Sequence, residues 1–182
     1  LAQDIVSPLP RGPMVGTGAL SENVKGRYFA SMGHLSLQPY DVVVALRLLD
    51  APTDSYPALG RVLGLGQSTV HGAVRRLGAA GLVRPAAGGA GHLVNRRALL
   101  EFLEHGVKYA FPAVLDAPAR GLPTAHAGPA LAPSIVSDTP FVWPDASGPT
   151  EGPALQPLLP TAAVLAVRAP RTYTLLTAVD AL

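Results

Sequence analysis

The sequence predicts a mostly α-helical fold with a small β-wing, followed by an irregular proline-rich arm and a terminal helix. Apolar residues recur at helical spacing in four segments between residues 36 and 110. Two short apolar runs flank a glycine-rich stretch, which is typical of a hairpin. Eleven prolines among residues 111–160 favour extended or disordered backbone. With 182 residues, 48% of them hydrophobic, the chain is long enough for one or two small domains.

Three helices are predicted before the hairpin. The first begins at Ser36-Leu37-Gln38-Pro39 and runs to about Leu49, with Pro39 in the first turn, where its missing donor costs nothing. A short helix from Tyr56 to Leu63 ends at the Gly64-Leu65-Gly66 turn. The third helix covers residues 67–78. Its apolar positions, at i, i+4 and i+7, predict a stripe that packs on the preceding helices: Val70, Val74 and Leu77.

The hairpin and a fourth helix follow. Residues 82–84 predict one short strand, residues 85–91 a flexible tip rich in glycine, and residues 92–95 the returning strand. A helix is then expected from Arg97 to about Ala110. Its predicted buried stripe consists of Leu99, Leu100, Leu103 and Val107.

The third helix carries polar groups on the face opposite its apolar stripe, namely Ser68, His71, Gly72 and Arg75. Hydroxyl, imidazole and guanidinium groups are donors that can reach base edges and phosphates. The stretch LGLGQSTVHGAVRRLGAAGLVR resembles the core of bacterial winged helix-turn-helix transcription regulators of the MarR, GntR and DeoR kind. The resemblance covers residues 35–105 and is specific for helix, turn, helix and wing in that order.

This resemblance implies a sequence-specific regulator that places a recognition helix (residues 67–78) in the major groove of double-stranded DNA and a wing (residues 85–91) beside the backbone. Charge agrees, because residues 55–105 hold six arginines against two glutamates, a net charge of +4, whereas each flank is −1. The predicted DNA-binding residues are Gln67, Ser68, Thr69, His71, Gly72, Arg75, Arg76, Arg84, Arg96 and Arg97. Arg84 and Arg96 have an alternative role, as ion-pair partners of Glu101 or Glu104. Gly72 stands where many such helices carry a larger polar residue, so either a backbone approaches it closely or it reads nothing.

Four regions are expected. Residues 1–31 are interpreted as a disordered leader or an upstream extension, residues 32–110 as the winged domain, and residues 111–160 as the irregular arm, in which Trp143 is a packing anchor. Residues 161–182 predict a helix with an apolar stripe made by Tyr173, Leu176, Val179 and Leu182. It ends without a cap, so truncation is one interpretation of the chain end. This helix is expected either to join a homodimer or to fold back on its own chain.

Other function classes lack a sequence signal. The chain has no cysteine, and its five histidines show no metal-ligand spacing, so we expect no metal, no cofactor and no enzymatic activity. It contains no apolar run of 18 residues and no export signal, which favours a cytoplasmic location away from membranes. The alternative to a DNA-binding regulator is an antitoxin-like or adaptor module whose proline-rich arm binds a protein partner.

Overall fold

The computed structural model describes residues 36–87 and 91–182, which belong to one compact unit. About 47% of these residues are helical and 18% are in strands, arranged as seven α-helices and two sheets. The fold is therefore mixed α/β, and the predicted mostly α-helical winged helix-turn-helix class is wrong. The expected leader, residues 1–31, lies outside the described residues, as do residues 88–90 of the expected wing tip.

Five helices occupy the first part of this unit: α1 (Pro39–Asp50), α2 (Tyr56–Leu63), α3 (Gln67–Ala79), α4 (Arg96–His105) and α5 (Val107–Ala110). The predicted helix over residues 97–110 is interrupted at Gly106, a residue with low helix propensity. Leu99, Leu103 and Val107 are buried as expected. Leu100 is 55% exposed, so its predicted place in the buried stripe is wrong.

A two-stranded antiparallel sheet joins α3 to α4. It consists of β1 (Val83–Pro85) and β2 (His92–Val94). The backbone N–H of His92 donates to the carbonyl of Pro52 over 3.0 Å, which fixes this hairpin to the loop between α1 and α2. Asn95 then starts α4, because its side chain accepts a hydrogen bond from the N–H of Ala98.

The segment predicted to be an irregular arm forms a closed three-stranded sheet, made of β3 (Leu115–Thr124), β4 (Phe141–Pro144) and β5 (Thr150–Leu155). The long strand β3 pairs antiparallel with both others, and β4 meets β5 in parallel at Val142 and Ala154. Pro118 falls in an irregularity of the β3–β5 register, a position that tolerates a residue without an N–H donor. A Cβ atom at Gly121 would overlap the Trp143 carbonyl, so closure of the sheet requires glycine there.

One apolar core holds the helices and the closed sheet together. Trp143 of β4 and Leu159 are buried in the same cluster as the apolar residues of α1 to α5. Two further helices, α6 (Leu165–Arg168) and α7 (Pro170–Val179), add Leu165 and Leu176 to it. The terminal helix thus packs back on its own chain. In the part of the chain that the structure describes, no helix has the length and apolar character needed to cross a lipid bilayer.

Candidate nucleic-acid interface

Helix α3 separates a buried face from an exposed one. Val70, Val74 and Leu77 are buried, as their spacing predicts. Four polar residues on the other side are exposed: Gln67, Ser68, His71 and Arg75. At about 100° per residue these four positions fall within roughly 100° of arc, so they form one surface. We call these four residues the α3 face.

The turn between α2 and α3 sets the direction of α3. Gly64 ends α2 in the left-handed region at φ 68°, and its backbone N–H donates to the carbonyl of Gly60. Thr161, from the segment before α6, donates its hydroxyl to the carbonyl of Leu63 over 2.8 Å. The turn is therefore held by its own backbone and by a residue nearly 100 positions later in the chain.

Arg76 does not belong to the α3 face. Its Nε and Nη2 atoms each lie 2.7 Å from a carboxylate oxygen of Asp41, which is fully buried in α1. The Tyr40 hydroxyl accepts a hydrogen bond from Nη2 at 3.2 Å, and the Tyr40 ring centroid lies 5.5 Å from the guanidinium carbon. The Asp41 carboxylate holds the pKa of Arg76 above its ordinary value. This bidentate pair turns Arg76 toward α1 and fixes the rotation of α3.

Arg75 has a different environment from that of its neighbour. Its side chain is exposed, and it has no ion-pair partner among residues 36–87 and 91–182. The sequence of α3 contains no acidic residue, and its N-cap is Gly66, which offers no side chain to the free N–H groups of the first turn. A helix N-terminus favours negative charge, so α3 has two separate points that favour an anion, its first turn and Arg75, about 12 Å further along the helix.

An aromatic cluster connects the α3 face to the β1–β2 hairpin. The His71 ring packs edge-on against Tyr56, with ring centroids 5.5 Å apart. The His92 ring stacks on the same tyrosine at 5.5 Å, and its Nε2 lies 3.2 Å from the Tyr56 hydroxyl. Tyr56 thus links the exposed His71 of the α3 face to His92 of the hairpin.

The remaining predicted DNA-binding residues are dispersed. Thr69 and Gly72 are half-buried in α3. Arg84 is exposed in β1, and Arg97 is exposed in the first turn of α4. Arg96 lines an apolar groove between helices α1, α4 and α7, apart from the α3 face. Neither Arg84 nor Arg96 makes the alternative ion pair with a glutamate in the described part of the chain.

Asp41 and Asp180 have structural roles that were not predicted from the sequence. Asp41 also accepts a 2.8 Å hydrogen bond from the N–H of Gln38, and the Gln38-x-x-Asp41 spacing is a capping signal that could have been read. Asp180 accepts hydrogen bonds from the Thr124 hydroxyl at 2.6 Å and from Trp143 Nε1 at 2.7 Å, and burial raises its pKa to about 6. No local pattern predicts Asp180, because its partners lie 37 and 56 residues away.

Comparisons with family models, curated proteins and solved structures found no match to this chain. Within residues 36–87 and 91–182, no group of three or more histidine or acidic side chains is arranged to hold a metal ion. The α3 face offers the neutral side chains of Gln67 and Ser68, the imidazole of His71 and the guanidinium of Arg75.

Proposed function

We propose that this protein binds double-stranded DNA through the α3 face, with the β1–β2 hairpin beside the duplex. The observation that carries the proposal is that two adjacent arginines of α3 differ in environment, one paired with a buried carboxylate and the other exposed. Arg76 is held by the buried Asp41, whereas Arg75 projects from the same helix into solvent without an acidic partner among the described residues. A helix that is locked in rotation and presents donors outward can enter a major groove and keep one orientation there.

The chemistry of the α3 face supports both kinds of contact that DNA offers. Arg75 can bind a phosphate or the O6 and N7 atoms of guanine. Gln67 can form a bidentate pair with adenine, and Ser68 can contact either a base edge or a phosphate. Arg84 and Arg97 are exposed on the elements that follow, where each could add a phosphate contact. A sequence-specific regulator of transcription is the corresponding biological role.

The test is binding of the full chain to the DNA fragment upstream of its own gene, measured by fluorescence anisotropy against salt with random duplex as competitor. Binding that resists the competitor and weakens steeply with salt is expected. Arg75→Ala should weaken binding by about 1–3 kcal/mol if Arg75 reads a base, and equally on all sequences if it contacts only phosphate. Arg120→Ala is the matched control, because Arg120 is also exposed but pairs with Glu151 on the closed sheet.

A result in which the Arg75 and Arg120 variants lose equal affinity would contradict the proposal, because it would show that any surface arginine contributes. A wild-type affinity no greater for the upstream fragment than for random duplex would contradict the sequence-specific role. It would favour the second candidate, a protein-interaction module. The observation behind that candidate is the exposure of Ile135 and Val136, at 44% and 98%, in the loop between β3 and β4.

A further inference from the structure

An apolar groove of about 640 Å³ runs between helices α1, α4 and α7, and no residue of the α3 face lines it. Leu46 and Leu49 of α1 line it together with Leu99 and Leu103 of α4 and Leu175 of α7. Four of the α4 positions that line it, 96, 100, 103 and 104, fall within roughly 100° of arc, so α4 presents a continuous face to it.

Leu100 stands at the middle of that face and is 55% exposed. Leu182, at the end of the chain, also lines the groove and is 53% exposed. Two leucines open to water beside an apolar groove lose the favourable transfer energy that burial would give them. A binding partner that covers the groove would recover it.

The order of charged residues along α4 favours one kind of binding partner. Arg96 and Arg97 stand in its first turn, whereas Glu101 and Glu104 stand in its second half. This order opposes the helix dipole, which favours acidic residues at the start of a helix and basic residues at its end. Arg96 and Glu104 both line the groove, four residues before and four residues after Leu100. The face is therefore charged with opposite signs at its two ends, about 12 Å apart, and apolar in the middle.

We propose that this face of α4 is the interface for a second copy of the same chain, with the two α4 helices crossing antiparallel about a two-fold axis at Leu100. A two-fold interface places the same surface of both copies in contact, so a residue n positions before the axis meets one n positions after it. Arg96 then faces Glu104 of the second copy, Glu104 faces its Arg96, and the two Leu100 side chains meet. The antiparallel arrangement also sets each helix end beside charges of the sign its dipole favours.

The experiment is sedimentation velocity of the full chain without DNA, over a concentration series, so that its outcome is independent of DNA binding. Wild-type protein is expected to dimerise. Arg96→Glu and Glu104→Arg should each raise the dimer dissociation constant by about tenfold or more, because each sets like charges against one another twice. Arg97→Glu makes the same change of net charge as Arg96→Glu, at a residue that does not line the groove. It should therefore raise the dimer dissociation constant less.

A mixture of the two charge-reversed variants tests whether residues 96 and 104 of the two copies meet. In a one-to-one mixture of the Arg96→Glu and Glu104→Arg variants, a dimer with one copy of each has opposite charges at both contacts, so the mixture should recover dimerisation that neither variant shows alone. Leu100→Glu, at an exposed position, should remain folded by circular dichroism and monomeric. A monomeric wild type, or a mixture no more associated than its parts, would overturn the proposal. Binding of decanoate to a wild type that stays monomeric would instead identify the groove as a site for a small apolar carboxylate.

Discussion

Replacement of Asp180 by asparagine tests how the closed sheet is attached to α7. The Asp180 carboxylate receives both the Thr124 hydroxyl and Trp143 Nε1 on one oxygen, Oδ2. It is also the C-cap of α7, where the helix dipole disfavours negative charge. Burial raises its pKa from 3.8 to about 6, so folding costs more when this group is ionised than when it is protonated.

The raised pKa of Asp180 determines how the free energy of unfolding changes with pH. A raised pKa in the folded state means that the stabilising contribution is complete below pH 3.8 and disappears as the pH rises through about 6. A shift of about two units corresponds to at most about 3 kcal/mol at pH 7. Asparagine keeps a carbonyl oxygen for both donors and carries no charge. Asp180→Asn should therefore be more stable than wild type by up to about 3 kcal/mol at pH 7, and should show no such gain at pH 4.

The assay is urea denaturation of both proteins at half-unit steps from pH 4 to pH 8, plotted as the difference in unfolding free energy. Asp145→Asn is a suitable control, because hydrogen bonds from Ser147 lower the pKa of Asp145, and removal of its charge should give no gain at neutral pH. If the difference between Asp180→Asn and wild type stays constant from pH 4 to pH 7, the carboxylate is not penalised by burial and the reasoning is refuted.

Three further predictions concern the contacts that hold α3 and the core. Arg76→Ala leaves a buried charge at Asp41 and should cost about 3–5 kcal/mol in urea denaturation, while the double alanine variant should cost less than the sum of its singles. Gly64→Ala should cost about 1–2 kcal/mol for its left-handed backbone. It should exceed Gly81→Ala, since only at Gly64 of these two would the new methyl group meet a neighbour within 4 Å. Trp143→Phe removes a hydrogen-bond donor from the Asp180 carboxylate and should cost about 1–3 kcal/mol of unfolding free energy, more at pH 8 than at pH 4.

The helices of the first part of the chain were predictable because each buries one face. Val70, Val74 and Leu77 repeat at helical spacing, and the hydrophobic effect that buries them also fixes which side of α3 faces water. Leu100 is exposed although its spacing predicts burial, because periodicity identifies an apolar position but not whether a neighbouring element covers it. Burial of that side depends on α7, which lies about 70 residues further along the chain.

The closed sheet was not predictable from local composition. Its strands are stabilised by pairs such as Leu122 with Trp143 and Arg120 with Glu151, which are 21 and 31 residues apart. Proline content indicates that a segment is a poor helix or a poor central strand, but it does not exclude a strand in which proline stands at a register irregularity, as Pro118 does in β3. The error in fold class came from equating proline-rich sequence with irregular structure.

Arg75 and Arg76 show the same limit within the candidate site. Both look equally suited to bind phosphate in the sequence, yet they point about 100° apart on α3. Asp41 is buried, and an unpaired buried carboxylate is costly in free energy, so it needs a cationic partner. Because the apolar stripe of α3 packs against the core, Arg76 and not Arg75 lies next to Asp41. Arg75 is therefore the one guanidinium of α3 left for a phosphate. Under the proposed DNA contact, replacement of Arg75 by alanine should reduce the salt dependence of binding by about one unit of slope. Arg75→Lys should restore that slope but not a bidentate contact to guanine.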